Sequence, residues 1–158
     1  NETRLGNTKK SFKRGTVMRE PASLYVPHSG SMLLVDTIID HHDDNGVVET
    51  TFTAGSMFAD SNGILQPLVF IELLAQGFAS LNGYTNHLKD AEKQKGFLVG
   101  VKNIRFYDTT AVTVGMTLTA KLQVDIRFDD FTMVHGSLLH ESTLLMDGTL
   151  KLFIPETT

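Results

Sequence analysis

Apolar and polar positions alternate along most of this chain, but one stretch breaks the alternation: "ILQPLVFIELLAQGFASLNGY", Ile64 to Tyr84. Nearly every position after Pro67 is apolar or small, and the spacing is that of a helix buried on most of its circumference. Pro67 suits a first helical turn, where its missing N–H would have no partner in any case, so Leu65 or Gln66 is expected near the N-cap. Asn82-Gly83 is a plausible stop, with helical character resuming through "NHLKDAEKQ" until Gly96 breaks it.

On both sides the period falls to two. "LLVDTIID" (Leu33–Asp40) and "VVETTFTA" (Val47–Ala54) read as two strands joined at "HHDDNG", with Asn45-Gly46 as the hairpin turn. "GSMFADSNG" (Gly55–Gly63) has no periodicity and reads as a loop leading into the helix. From Gly96 onward "FLVGVKNIRFY", "MTLTAKLQVDIRF", "FTMVHGSLLHES" and "LLMDGTLKLFI" read as strands of an antiparallel meander, the last three separated by "DD" and "STLLMDG"-type turns. Two strands, one long helix and about four further strands make α+β the expected class, with the sheet covering the helix.

Composition narrows the functional classes. With 158 residues, 41% hydrophobic and 20% charged, the chain is expected to be one domain with a sizeable core. No uncharged apolar run is long enough for a membrane span, and no apolar h-region opens the chain, so the expected compartment is the cytoplasm. The chain has no cysteine, which removes disulfides, thiolate metal sites and a cysteine nucleophile. Residues 1–20 carry a net charge of +4 and residues 21–158 a net charge of −8. The first segment reads as a basic tail, solvated or attracted to an acidic partner such as a carrier protein, and 21–158 as the single folded domain. The acidic body argues against general nucleic-acid binding.

Inside the apolar helix, Glu72 and Gln76 lie one turn apart on one face, about 40° from each other at 100° per residue. Either this pair faces a cavity under the sheet or it marks a narrow solvent-facing edge. A carboxylate held out of water is disposed to proton transfer, and Gln76 is suited to tying down loop backbone. Of the six histidines, His41 and His42 sit in an acidic turn, His87 follows the helix, and His135 and His140 lie five apart in a strand pattern, hence on opposite faces. None has the spacing of a metal site. His28, after Pro27 in a Ser-Gly loop that feeds an apolar strand, is the candidate partner for Glu72.

These segments resemble a known family. "YVPHSGSMLLVDTIID" is similar to the "LPHR-x-x-M/F-LL-[IV]-D" opening of the 3-hydroxyacyl-[acyl-carrier-protein] dehydratases, and "FIELLAQGFASL" to their helix, "x-I-E-x-M-A-Q-A". Order and separation also match, over roughly residues 24–84. The chain departs from the housekeeping enzymes in one respect: their loop histidine, in "GHFPG", has no counterpart between Gly55 and Glu72. "SMFADSNGILQP" is instead similar to "PFxDGGxVPAWxGIEYMAQ", the pattern of the thioester dehydratase branch associated with aryl polyene-type lipid pathways.

The resemblance implies a hot-dog fold, a curved antiparallel sheet around one central helix. It also implies a homodimer, heterodimer or higher oligomer with acyl tunnels between subunits, and an acyl carrier protein as partner. The implied activity is dehydration of a 3-hydroxyacyl thioester without a cofactor or metal, with Glu72 and His28 as general acid and base. Backbone N–H groups of Gly63, Ile64 and Leu65 would hold the thioester oxygen, Gln76 would orient Glu72 or a loop carbonyl, and Asp60 is a third polar candidate. The alternatives are an acyl thioesterase of the same fold and a non-catalytic partner subunit.

Overall fold

Seven strands form one antiparallel sheet in a computed structural model that describes residues 18–27, 30–92, 94–109 and 112–156. In chain order the elements are β1 (Glu20–Pro21), β2 (Thr37–His41), β3 (Asn45–Thr51), α1 (Val69–Leu88), β4 (Phe97–Phe106), β5 (Thr117–Phe128), β6 (Phe131–His140) and β7 (Thr143–Phe153). Their order across the sheet is β1-β2-β3-β5-β6-β7-β4. The sheet curves around α1, which is the hot-dog arrangement.

Alternation builds this sheet. Along β3 the buried residues are Gly46, Val48 and Thr50, and along β5 they are Leu118, Ala120 and Leu122. With Val134 and Leu138 of β6 and Leu150 of β7, these side chains make a surface onto which Phe70, Leu73, Leu74, Phe78 and Leu81 of the helix pack. Each buried Val, Leu and Phe side chain among them contributes about 1.5–3 kcal/mol through apolar burial. The helix therefore depends on the sheet rather than on propensity or caps, and its N-cap Leu68 makes no side-chain capping bond.

Several boundaries differ from those the local pattern predicts. Asn45-Gly46 is not the hairpin turn; both residues pair within the sheet, opposite Gln123 and Leu122, and the turn falls on 42–44, closed by His42 N–H to the Asn45 carbonyl at 2.8 Å. Gly46 has a packing role, since a Cβ there would lie 2.5 Å from Leu81 Cδ2 and 2.8 Å from the Asp40 carbonyl. The helix begins at Val69, not at Pro67, and runs through Asn82-Gly83 without a break. Gly83 is where the Tyr25 backbone meets the helix: a Cβ would stand 2.1 Å from the Tyr25 carbonyl oxygen. The helix ends instead at Leu88, where Asp90 adopts a φ of 53°, its N–H bonds the His87 carbonyl, and Ala91 N–H bonds the Asn86 carbonyl. This is a Schellman stop made without glycine.

The turns of the meander fall at Asp129 and Glu141, with φ of 49° and 54°, and "STLLMDG" lies mostly inside β7. Glu20, the last residue of the basic segment, pairs with Ile38 in the sheet.

Around the second half of α1 a ring cluster forms. Tyr84 meets Tyr25 edge-on at 5.1 Å and His41 edge-on at 4.7 Å. The Thr85 hydroxyl donates to the Leu81 carbonyl at 3.1 Å and accepts from His41 Nε2 at 2.7 Å. Burial holds the His41 pKa below the usual histidine value.

Two consequences are measurable. Gly83→Ala, a change that favours an isolated helix by about 1 kcal/mol, should instead destabilise the fold by about 1–3 kcal/mol in denaturant titrations. Because the folded chain favours neutral His41 and the unfolded chain protonates nearer pH 6.5, His41's contribution is present above about pH 6.5 and lost as pH falls through its lowered value. Unfolding curves at pH 7.5 and 5 should show a smaller acid-induced loss for His41→Gln than for the unsubstituted chain.

Candidate active site

Glu72 lies in the first turn of α1, where a negative charge interacts favourably with the positive end of the helix dipole. It is half-buried and lines two adjoining cavities. The first, of about 350 Å³, is bounded by Met32, Met57, Phe58 and Leu68. Met32, Met57 and Leu68 are exposed there, which makes an apolar mouth. The second, of about 400 Å³, runs along the helix past Ala75, Ala79 and Asn82, against Phe97 and Leu98 of β4 and Leu152 of β7. Among the described residues Glu72 is the single acidic side chain on either wall.

Gln76 fixes this arrangement. It is 1% exposed, and its amide reaches back to the segment that precedes β2. The Gln76 Oε1 accepts the Leu34 N–H at 2.7 Å, and its Nε2 donates to the Met32 carbonyl at 2.7 Å and to Glu72 Oε1 at 3.3 Å. From the sheet side the Thr50 hydroxyl donates to the Leu34 carbonyl. Residues 33–36, read from sequence as the start of a strand, are thus a loop bonded to helix and sheet together. The predicted tie between Gln76 and loop backbone is present, and the same nitrogen also holds Glu72.

The other predicted site residues are occupied elsewhere. Gly63 N–H bonds the Asp60 carbonyl at 2.9 Å, Ile64 N–H bonds Asp60 Oδ1 at 3.0 Å, and Leu65 N–H bonds the Val112 carbonyl at 2.9 Å. With the helix starting only at Val69, these three N–H groups have no capacity left for a thioester oxygen. Asp60 is likewise an organiser of its own loop: its Oδ1 also accepts the Asn62 N–H at 2.8 Å, and it lines neither cavity. At the helix start Val69, Phe70 and Ile71 bond back to Gln66, Pro67 and Leu68. Among the described residues no acceptor pairs with the Leu68 N–H, which lies one turn before Glu72 on the wall of the mouth.

His28 lies outside the described residues. Of the remaining histidines, His41 belongs to the ring cluster, His42 is 3.3 Å from Asp40, and His87 packs on Tyr25. His135 is exposed and His140 half-buried. Among the described residues no group of three or more acidic or histidine side chains gathers in a way that could hold a metal ion, and no helix is long and apolar enough to cross a membrane. Local pattern gave no sign of the mouth methionines or the β4 wall, because the cavities join segments that are far apart in sequence.

A sheet curved around one central helix defines a hot-dog protein, and the groove beside that helix carries one carboxylate near the helix start. Residues 20–158 match the family model described as ApeP-like, ApeP dehydratase. The chain belongs to the ApeP-like dehydratase family. No curated protein sequence matches it. Among solved structures, it is similar to a chain of the dehydratase heterocomplex ApeI:P from Xenorhabdus doucetiae, with 23% identity, a TM-score of 0.80, and 87% of this chain and 93% of that chain covered. It is also similar in fold to Cj0977, a sigma28-regulated virulence protein from Campylobacter jejuni, with 16% identity, a TM-score of 0.63, and coverage of 86% and 89%. A hypothetical thioesterase with coenzyme A from Streptococcus pneumoniae TIGR4 aligns with 13% identity, a TM-score of 0.56, and coverage of 76% and 85%.

Gln76→Leu tests the positioning role. It leaves the buried Leu34 N–H and the partly buried Met32 carbonyl without their amide partner and should destabilise the fold by on the order of 3 kcal/mol. Hydrogen exchange should show lost protection at the Leu34 amide before the sheet amides are affected.

Proposed function

We propose that this chain removes water from a 3-hydroxyacyl thioester carried by an acyl carrier protein. The observation that carries this reading is that Glu72 lines both cavities, the one bounded by the exposed Met32, Met57 and Leu68 and the one that runs along the helix. A thioester entering by the mouth would lay its acyl chain along the helix and bring its second and third carbons to the carboxylate. Dehydration needs a base for the C2 proton and an acid for the departing C3 hydroxyl, giving a 2-enoyl thioester and water. Glu72 and His28 take these roles; His28 is assigned from its sequence motif. The Leu68 N–H, at the positive end of the helix dipole, replaces Gly63, Ile64 and Leu65 as the backbone donor for the thioester oxygen.

The working unit is a pair of hot-dog subunits. β4 is an edge strand on which Phe97, Val99 and Val101 are each about half exposed, at 53%, 53% and 49%, and it forms a wall of the groove, so a second subunit along it would close the tunnel. One observation favours a second reading, a subunit that works only beside a different one: the loop from Gly55 to Glu72 has no histidine.

Glu72→Gln keeps the side-chain volume and removes the titrating group. With unchanged circular dichroism it should lower water loss from 3-hydroxyacyl carrier-protein thioesters by about 10²-fold or more, and His28→Ala should show a comparable loss. Mass spectrometry of the products discriminates the readings. Release of free acid with a free carrier thiol would identify a thioesterase, and no turnover until a second hot-dog chain is added would identify a partner subunit.

A further inference from the structure

The groove beyond Glu72 passes Ala75, Phe78 and Ala79 along the helix and meets two side-chain amides, Asn82 and Gln94, at its far end. Gln94, in the connector between α1 and β4, faces Asn82 there, and Asn86 stands one turn further along the helix. The Gln94 Oε1 accepts from Asn82 Nδ2 at 3.5 Å and from Asn86 Nδ2 at 3.3 Å, so the half-buried amides of Asn82 and Gln94 line the end of a groove walled by Ala79, Phe97 and Ile154, with Asn86 bonded behind them. Both bonds are long for N–H···O contacts and hold the amides together only loosely.

Each amide offers two N–H donors and one carbonyl acceptor. The contacts with Gln94 Oε1 tether the connector to the helix, which accounts for that oxygen. They leave the Gln94 Nε2 and the carbonyl oxygens of Asn82 and Asn86 without a partner among the described residues. Solvent serves them while the groove is open. A hydrocarbon chain filling the groove would remove that water, and a methyl terminus would leave the amides dry and unpaired. A terminus with a hydroxyl or carbonyl group would pair them.

We infer that the groove selects acyl chains of medium length whose far end carries a hydrogen-bonding group, with Gln94 and Asn82 as the residues that recognise it. This rests on the reading of Glu72 as the site where the thioester reacts. The length follows from the helix: Glu72 and Asn82 are ten residues apart, about 15 Å along the axis. Carbon–carbon bonds of about 1.52 Å at near-tetrahedral angles advance about 1.25 Å each, so about twelve bonds separate the reacting carbon from the amides. A tetradecanoyl chain with a terminal hydroxyl places its oxygen there.

The test separates binding from turnover. Calorimetry on the full chain would compare the pantetheine amide of tetradecanoic acid with its ω-hydroxy analogue; neither has a 3-hydroxyl to lose nor a thioester to cleave. The ω-hydroxy ligand should bind about tenfold more tightly, and Gln94→Leu, or Asn82→Leu if the first variant fails to fold, should bring the ratio to one or invert it. On the unsubstituted chain alone, the preference should disappear with a hexanoyl pair, whose hydroxyl stops short of the amides. Equal binding of the tetradecanoyl pair, failure of both to bind, or a preference unchanged in a folded variant would overturn the inference. Water loss from the corresponding 3-hydroxyacyl thioesters is read separately. A terminal preference without water loss supports the inference and overturns the dehydratase reading, whereas water loss indifferent to the terminus does the reverse.

Discussion

An amide buried in the middle of an apolar helix must find a partner for its oxygen and for its nitrogen, and Gln76 finds both in the backbone of one loop. The Leu34 N–H and the Met32 carbonyl are 42 and 44 residues away in sequence, and neither would be paired without it. Because Thr50 bonds the Leu34 carbonyl from β3, this loop is attached to helix and sheet at once. The spacing between the two layers is set at that point. Glu72 shares in the arrangement through the Gln76 nitrogen, so the carboxylate on the groove is positioned by the same group that closes the fold.

The two polar residues in the first half of the helix thus meet different fates one turn apart. Gln76 is neutral, has both kinds of hydrogen-bonding group and is fully buried. Glu72 would lose far more by complete desolvation and stays at the cavity wall, where water or a ligand can reach it.

Topology makes the groove. β4 follows α1 in the chain but pairs with β7 at the far edge of the sheet, so the connector must travel beside the helix and brings Gln94 with it. The central strands β3, β5 and β6 press directly on the helix, whereas β4 lies beyond β7 and presents Phe97 and Leu98 to the second cavity. The space left between helix and edge strand is long, apolar and open on the side where a second subunit would lie.

Fold class, the existence of six of the strands and the Glu72–Gln76 pair were legible in the sequence because they depend on period and side-chain type, which are local, whereas strand ends such as residues 33–36 answer to partners elsewhere. The hairpin turn was misplaced because Gly46 answers to Leu81, and the helix stop because Gly83 answers to the Tyr25 carbonyl; a glycine looks the same in sequence whether it serves a turn or a close approach. The donors assigned to Gly63, Ile64 and Leu65 were used up by Asp60 and by Val112, the latter 47 residues beyond Leu65. By itself the sequence determined the alternation that builds the sheet and the one apolar helix that carries a carboxylate. The tertiary structure alone decided which backbone groups remain free and where a cavity opens, because both depend on contacts between segments that carry no mark of one another.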